Sequence, residues 1–315
     1  MRDLRIVFMG TPDFAVATLK ALLDANYNVV GVITAPDKPA GRGRKMHQSA
    51  VKKFALANDL NVLQPTNLKR KSFVAELKAL NANLQIVVAF RMLPKVVWQM
   101  PAYGTFNLHA SLLPNYRGAA PINWAIINGE TKTGVTTFFI DEKIDTGAMI
   151  FQEEIEIDPS ENAGSLHDKL MDIGSTLVVK TVHHIEKDEV TTTIQPNLED
   201  VRTAYKIHKD TCKIDWTDSI DNIYNKIRGL SPYPASWTTL YNGDDTYAIK
   251  IYEVEKLVEP HSYLTGTVIS SKKEVKIAVK EGYIIVKILQ LPGKRSMEIK
   301  SLLNGFSFEK DAKVS

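Results

Sequence analysis

Apolar runs alternate with amphipathic stretches over the first half of the chain. Runs of the buried-strand type occur at residues 4–10, 29–34, 84–90 and 134–140. The stretches between them repeat apolar residues at helical spacing, and a long helical pattern over residues 164–189 closes this half. Strands that alternate with such helices predict an α/β fold, with a Rossmann-like, mostly parallel sheet that helices cover on both faces.

Two serines mark the expected beginnings of helices in this half. Ser49 precedes the helical pattern of residues 50–59, and Ser72 precedes that of residues 73–81. A serine hydroxyl at this position accepts a hydrogen bond from a backbone N–H of the first turn, so we expect both serines to act as N-caps.

The pattern changes after residue 189. Residues 190–208 are polar, contain a proline and follow neither the helical nor the strand period, so we interpret them as a linker. One helical pattern follows and ends at the turn "SPYP". Short β-rich runs with Gly and Asn-Gly turns then predict a small, OB-like β-barrel. The expected organisation is a first domain at 1–189, the linker, and a second domain at 209–315.

Length and composition agree with two domains of an ordinary globular protein. The chain has 315 residues and a formal net charge of +3, and 315 residues is long for a single core. The single cysteine, Cys212, excludes an internal disulfide framework, and the histidines lack H-E-x-x-H spacing, so we predict no metal site. The first apolar run is too short for a secretory signal or a membrane span, which predicts a cytoplasmic protein without a membrane partner.

The first strand ends in "GTPDF", where a dinucleotide-binding fingerprint would stand. The G-x-G-x-x-G spacing is absent there, and the chain has no P-loop. The sequence therefore argues against binding of NAD or FAD. Gly10 lets the backbone turn tightly into the following helix, which favours a structural turn.

Polar side chains alternate along the apolar stretch that begins at Thr105. Thr105, Asn107 and His109 share one face of the predicted strand. Both faces of a parallel sheet are normally covered, and polar groups at the carboxyl end of a strand lie where ligands bind. Asn107 offers two donors and an acceptor, and His109 can carry a proton near neutral pH. We therefore expect a catalytic site at this strand end.

A carboxylate is needed to hold the imidazole. Asp141, Glu142 and Asp145 all follow the strand at residues 134–140, and the residues alone do not separate these three candidates. A site of Asn, His and a carboxylate without a serine or cysteine nucleophile predicts direct group transfer with proton movement, and no covalent intermediate.

The segment "FNLHASLLPNYRGAAPINWAIINGE", with "GTPDFA" and "DTGAMI", closely resembles the methionyl-tRNA formyltransferase family. In that family H-x-S-L-L-P-x-Y/W-R-G is a signature of the folate-dependent formyltransferases. Residues 36–45, "PDKPAGRGRK", resemble the loop that these tRNA enzymes insert after their second strand, and residues 227–237 resemble their C-terminal domain. The resemblance covers nearly the whole chain.

The resemblance implies transfer of the formyl group of 10-formyltetrahydrofolate to the amino group of methionyl-tRNA, for translation initiation. By it, Asn107, His109 and Asp145 match the catalytic residues of the family. The residues that match its folate-binding turn are Ser111, Leu112, Leu113 and Pro114.

One segment departs from the family pattern. "AFRMLP", residues 89–94, is one residue shorter than usual, and Arg91 stands near an expected glycine. It looks more like the corresponding stretch of the glycinamide ribonucleotide formyltransferases. We expect Phe90, Arg91 and Met92 to line the folate pocket and to contact the pterin through backbone groups, so that folate binding survives.

The loop at residues 38–45 carries the charge expected of a tRNA contact. Lys38, Arg42, Arg44 and Lys45 are spaced by glycines that let the loop approach a phosphate backbone. With the resemblance, the acceptor stem of the initiator tRNA is the favoured partner of this loop, and the predicted barrel is the second tRNA-binding element. We expect a monomer.

Two alternatives stay open. An amino-sugar-nucleotide formyltransferase can also carry a C-terminal barrel, but the basic loop argues against it. A non-enzymatic module that binds tRNA and folate would not need the set of Asn107, His109 and Asp145.

Overall fold

The computed structural model describes residues 1–40, 45–197 and 199–315. These residues form two compact units, and the chain passes between them more than once. The first unit comprises Met1–Gly118, Thr133–Ile155 and His167–Thr203, and the second comprises Ala119–Lys132, Glu156–Leu166 and Ala204–Ser315.

Strands and helices alternate up to residue 187. The strands of this part, with the short β11, are β1 Ile6–Gly10, β2 Val29–Ile33, β3 Lys38–Ala40, β4 Lys45–His47, β5 Val62–Leu63, β6 Leu84–Val88, β7 Thr105–His109, β8 Arg117–Gly118, β9 Lys132–Phe139, β10 Met149–Glu156 and β11 Thr203–Ala204. The helices of the chain are α1 Asp13–Asp24, α2 Ala50–Ala57, α3 Lys71–Ala79, α4 Lys95–Trp98, α5 Pro121–Ile127, α6 Ala163–Lys187, α7 Ile220–Leu230 and α8 Ile299–Leu302.

The main sheet of the first unit has the order β10-β9-β7-β6-β1-β2-β5 among the described strands. Strand β1 pairs in parallel with β2 and β6, β2 with β5, and β6 with β7. Strand β9 pairs antiparallel with β7. The predicted α/β fold with a mostly parallel sheet is confirmed, and the carboxyl ends of β1, β6 and β7 lie at one edge.

Apolar strand residues form the core of this unit. Val7, Met9, Ile33 and Val87 pack with side chains of α3 and α4 and of the adjoining loops. Burial of each such side chain stabilises the fold by about 1.5–3 kcal/mol, so the sheet is a rigid support for the groups at its edge.

Only one of the two predicted serine caps forms. The Ser49 hydroxyl accepts a hydrogen bond from the backbone N–H of Lys52 at 3.0 Å, which confirms that prediction. The prediction for Ser72 is wrong, because α3 begins one residue earlier, at Lys71, and Arg70 holds the N-cap position without a side-chain hydrogen bond.

The strands after residue 235 form an antiparallel barrel. They are β12 Ser236–Asn242, β13 Asp245–Val258, β14 Val268–Ser270, β15 Val275–Val279, β16 Gly282–Gln290, β17 Met297–Glu298 and β18 Lys313–Val314. The order is β14-β15-β16-β13-β12-β18, and β17 pairs with β16. A bridge between Thr267 and Lys313, with a hydrogen bond from the Val314 N–H to the Gly266 carbonyl, joins the two ends of this sheet. The predicted C-terminal β-barrel is therefore confirmed.

Aliphatic side chains fill the barrel. Ile249, Ile251, Ile277 and Ile284 belong to a core that also takes in Ile223 of α7. Every second residue of β12 points inward, whereas Trp237 and Tyr241 point outward. In the part of the chain that the structure describes, no helix is long and apolar enough to cross a membrane.

Candidate active site

Asn107 and His109 lie at the carboxyl end of β7, on the same side of the strand. His109 is 7% exposed, and Asn107 is partly exposed. The side-chain amide of Asn107 has no hydrogen-bond partner among the described residues, although its neighbours on the strand are buried. A polar group held rigidly without a partner is available to a ligand.

The His109 ring is fixed on one side by the backbone. Its Nε2 lies 2.8 Å from the carbonyl oxygen of Tyr116, so Nε2 carries a proton and donates it. The other ring nitrogen, Nδ1, lies 3.8 Å from Oδ2 of Asp145. The Asp145 carboxylate therefore faces the ring nitrogen that is not bonded to Tyr116.

The structure distinguishes the three candidate carboxylates by what each one contacts. Asp141 accepts hydrogen bonds from the Thr146 hydroxyl and from the Lys143 backbone, and Glu142 pairs with Lys95 at the surface. Only Asp145, of these three, lies within ion-pair distance of His109. Its Oδ2 also accepts the backbone N–H of Gly118 at 2.9 Å.

The loop that carries Asp145 runs back along the sheet. Ile140, at the end of β9, donates to the carbonyl of Thr105, at the start of β7. Asp145 nevertheless reaches His109, at the other end of β7. Asp145 itself has a left-handed backbone conformation, with φ +54°. Gly147 passes so close to Phe139 that a Cβ atom would lie 1.6 Å from the Phe139 carbonyl oxygen, so glycine is required there.

The turn Ser111–Pro114 is held by its own backbone and by two neighbouring strands. The Ser111 hydroxyl donates to the Asn115 carbonyl at 2.7 Å, and the Ser111 carbonyl accepts from the Thr136 hydroxyl at 2.7 Å. Gln152 donates to the Leu113 carbonyl at 2.7 Å. The Leu113–Pro114 peptide bond is cis. Ser111, Leu113 and Pro114 are buried and Leu112 is partly exposed, so this turn offers mainly backbone atoms to a ligand.

The segment with Phe90, Arg91 and Met92 follows β6 at the same edge. The Arg91 guanidinium donates to the carbonyls of Pro65 and Thr66, and it lies 5.7 Å from the centre of the Phe90 ring. Met92 is 69% exposed. Arg91 therefore fastens the loop that follows β5, and Met92 offers an apolar surface beside the site.

The basic hairpin is described only in part. Lys38 begins β3 and pairs in register with His47 of β4, whereas Arg42 and Arg44 lie outside the described residues, and of Lys45 only the backbone is described. At the base of the hairpin, hydrogen bonds from Gln64 and Lys52 lower the pKa of Asp37 below its usual value. The Lys52–Asp37 pair at 2.6 Å fixes the point where the hairpin leaves the sheet.

Three contributors to this site were missed by sequence reasoning. Gln195 bonds to the Asp145 turn, Arg202 accepts the Tyr116 backbone N–H through its carbonyl oxygen, and Gln152 holds the Ser111–Pro114 turn. Gln195 and Arg202 belong to the polar stretch interpreted as a linker. No local periodicity marks any of the three.

Family comparisons cover both halves of the chain. Residues 4–182 match the family model for formyl transferase, and residues 206–307 match that for the formyl transferase C-terminal domain.

Close relatives extend over the full length. A methionyl-tRNA formyltransferase of Flavobacterium johnsoniae is 67% identical over 314 residues, which is 100% of both chains. That of Bacteroides thetaiotaomicron is 52% identical over 318 aligned positions, 99% of each chain.

Solved structures share the fold at lower identity. WlaRD, a sugar 3N-formyl transferase solved in the presence of dTDP and 5-N-formyl-THF, has a TM-score of 0.65 at 21% identity, covering 94% of this chain and all of that one. HypX from Aquifex aeolicus with tetrahydrofolic acid has a TM-score of 0.63 at 16% identity, covering 96% of this chain and 47% of that one. The chain therefore belongs to the formyl transferase family and, within it, to the methionyl-tRNA formyltransferases.

Proposed function

We propose that this chain transfers the formyl group of 10-formyltetrahydrofolate to the amino group of methionyl on initiator tRNA. The observation that carries the proposal is the full-length identity of 52–67% with methionyl-tRNA formyltransferases. The rigid Asn107, His109 and Asp145 set supports it, because it offers groups that formyl transfer needs.

Asn107 acts on the charge that develops during attack. When the amine nitrogen bonds to the formyl carbon, the carbonyl electrons move to oxygen, and that oxygen needs a hydrogen-bond donor. The Asn107 amide has no other partner among the described residues, so it is free to donate. One such donor contributes about 3 kcal/mol to the transition state.

His109 and Asp145 handle the proton. The attacking amine must lose one proton, and N10 of the folate must gain one when its bond to the formyl carbon breaks. Because Nε2 of His109 is engaged with Tyr116, Nδ1 is the nitrogen that exchanges a proton. The gap of 3.8 Å to Asp145 exceeds a direct hydrogen bond, so Asp145 takes part through water. Proton transfer by a placed group contributes roughly 100-fold or more.

The Ser111–Pro114 turn and the Phe90–Met92 segment hold the folate. Both stand at the edge where β7 ends, and the turn is immobilised by hydrogen bonds from Thr136 and Gln152 to its carbonyls. The cytoplasmic location and the monomeric state stay predictions of the sequence.

The barrel and the basic hairpin bind the tRNA. In the barrel, Lys209 and Lys213 lie 5.5 and 5.8 Å from the ring centre of Trp237, on the outward face of β12. Lys250 is the register partner of Trp237, and Lys313 lies 5.8 Å from the ring centre of Tyr241. Lysines interleaved with outward aromatic rings suit a phosphate backbone with exposed bases. We keep 1–189 as the catalytic domain, 190–208 as the linker and 209–315 as the tRNA-binding domain.

The decisive experiment offers three acceptors in parallel with 10-formyltetrahydrofolate. They are methionyl initiator tRNA, methionyl elongator tRNA and an amino-sugar nucleotide. We expect formylation of the initiator tRNA by far the fastest. Formylation of the sugar nucleotide instead would reject the proposal.

Asn107→Ala should lower kcat by roughly 100- to 1,000-fold, as loss of one oxyanion donor does.

The hairpin has its own test. Arg42→Ala should cost roughly 1–3 kcal/mol for initiator tRNA only, as loss of a base or end-shape contact does. Lys45→Ala should weaken the binding of both tRNAs equally. It should also lower the slope of log affinity against log salt concentration by about one, as loss of a phosphate contact does. Equal losses on both tRNAs for Arg42→Ala would leave that residue a purely electrostatic role.

A further inference from the structure

We propose that Gln195 is a positioning residue for the His109–Asp145 pair, an inference that rests on the proposed function. Gln195 is 7% exposed and lies in a stretch without regular structure. Its side-chain amide nitrogen donates to the carbonyl of Asp145 at 2.8 Å and to the carbonyl of Gly147 at 2.9 Å. Its oxygen accepts from Nε and Nη2 of Arg117, at 3.1 and 2.6 Å. One buried side chain thus joins two loops.

These contacts close a ring around the catalytic pair. The segment Tyr116–Gly118 gives His109 its carbonyl partner and gives Asp145 its backbone N–H partner. Arg117 lies between those two contacts, and Gln195 links its guanidinium to both ends of the turn Asp145–Gly147. The separation of His109 and Asp145 is therefore set by two loops that Gln195 holds together.

Among side chains of this size, only glutamine satisfies all the hydrogen-bonding groups around position 195. Both carbonyls require donors and the guanidinium requires an acceptor, which fixes the orientation of the amide. A glutamate would place a carboxylate oxygen against two carbonyl oxygens. A methionine would fill the space without any of the four contacts. In either variant buried polar groups lose partners, and the loops are free to separate.

The strain at Asp145 makes this support necessary. A non-glycine residue with φ +54° is held only when its surroundings determine it. Without Gln195, the Asp145 carbonyl loses the hydrogen bond that opposes relaxation of the turn. A displacement near 1 Å at a reacting group costs about 100-fold in rate.

The test uses the full chain and compares Gln195→Ala with Gln85→Ala. Gln85 is also a buried glutamine of the first unit, and its contact is with Thr105 at the start of β7. We expect Gln195→Ala to lower kcat by about 10- to 100-fold with both KM values within about threefold, and Gln85→Ala to leave kcat within about twofold. Wild-type kcat in Gln195→Ala would overturn the inference.

A double-mutant cycle identifies the route. If Gln195 acts through Asp145, Gln195→Ala should cause no further loss in the Asp145→Ala background. A full, additive loss in that background would show a general structural role and overturn the inference.

The imidazole resonances separate this inference from the proposed function. If the wild-type chain formylates no tRNA, the proposed function fails, and the ¹⁵N shifts of His109 then decide the inference alone. They should move in Gln195→Ala and Gln195→Glu and stay in place in Gln85→Ala, with His109→Gln used for assignment. Unchanged His109 shifts in both Gln195 variants would overturn the positioning role.

Discussion

The catalytic edge of the first unit and the barrel of the second are stabilised in different ways. The catalytic edge is assembled from loops whose side chains bond to backbone groups far away in sequence, as Gln195 bonds to Asp145 across 50 positions. The barrel is a set of antiparallel ladders around aliphatic side chains, and β13 alone pairs with β12 and β16. One region depends on the geometry of a few polar contacts, and the other on buried apolar area.

This difference separates activity from stability. Loss of a polar contact at the catalytic edge changes the position of a reacting group, yet removes little buried apolar surface. Loss of a methyl group in the barrel leaves a cavity, yet moves no reacting group. The following substitutions test that separation, from the largest expected effect to the smallest.

His109→Ala should produce the largest effect on rate. We expect kcat to fall about 1,000-fold, because the group that exchanges the proton with the reacting amine is lost. Folate affinity should stay within about threefold, since the contact strengthens only in the transition state. Single-turnover rates and folate titrations measure the two quantities. A rate near that of the wild type would remove His109 from the mechanism.

Ile284→Ala should produce the largest effect on stability. Ile284 is fully buried in the barrel, so its truncation should cost about 2–5 kcal/mol of unfolding free energy. Denaturant unfolding measures this, and folate binding at saturating protein should not change. If the folate-binding free energy weakened by as much as the unfolding free energy, activity and stability would not be separate in this chain.

Ser49→Ala and Ser72→Ala form a matched pair at two helix beginnings. The first should cost about 1–2 kcal/mol, because the Ser49 hydroxyl loses both the capping hydrogen bond from the Lys52 N–H and its hydrogen bond with the buried Thr34 hydroxyl. The second should stay within about 0.5 kcal/mol, because Ser72 makes no cap. Thermal unfolding of both variants measures the difference. Equal destabilisation would contradict the assignment of the Ser49 cap.

Lys213→Ala should produce the smallest effect. Loss of one phosphate contact should weaken initiator and elongator tRNA about threefold each and lower the salt slope by about one. Lys20→Ala, which removes the same charge from an exposed pair with Asp24, is the control. Unchanged tRNA affinity in Lys213→Ala would remove the β12 face from the tRNA-binding surface.

Local periodicity explains what the sequence predicted well. The α/β sheet, the barrel and the shared strand face of Asn107 and His109 all follow from alternation over a few residues. Local pattern could not separate Asp141, Glu142 and Asp145, because all three stand on one loop, and only the family resemblance pointed to Asp145. In the structure Asp145 is the one of the three that lies 3.8 Å from Nδ1 of His109. The capping prediction at Ser72 was wrong because α3 begins one residue earlier, at Lys71.

Gln195 shows why the rest of the site stayed hidden. It stands in a polar stretch without helical or strand period, and its partners Asp145 and Arg117 lie 50 and 78 positions away. From the sequence alone, a glutamine in such a stretch is predicted to be exposed to solvent. Its burial follows from long-range packing, which no local pattern encodes.

In the turn Asp145–Gly147, one residue is required for folding and another for the reaction. Consider a library randomised at positions 145 and 147 and screened for protease resistance alone. Position 147 should return only glycine, because the Phe139 carbonyl leaves no space for a Cβ atom. Position 145 should drift to glycine, which adopts its positive φ with less strain, or to asparagine, which tolerates that φ and keeps a side-chain oxygen for the Gly118 N–H. Aspartate should return only when survivors must also formylate, so a codon count at these two positions measures folding and chemistry separately.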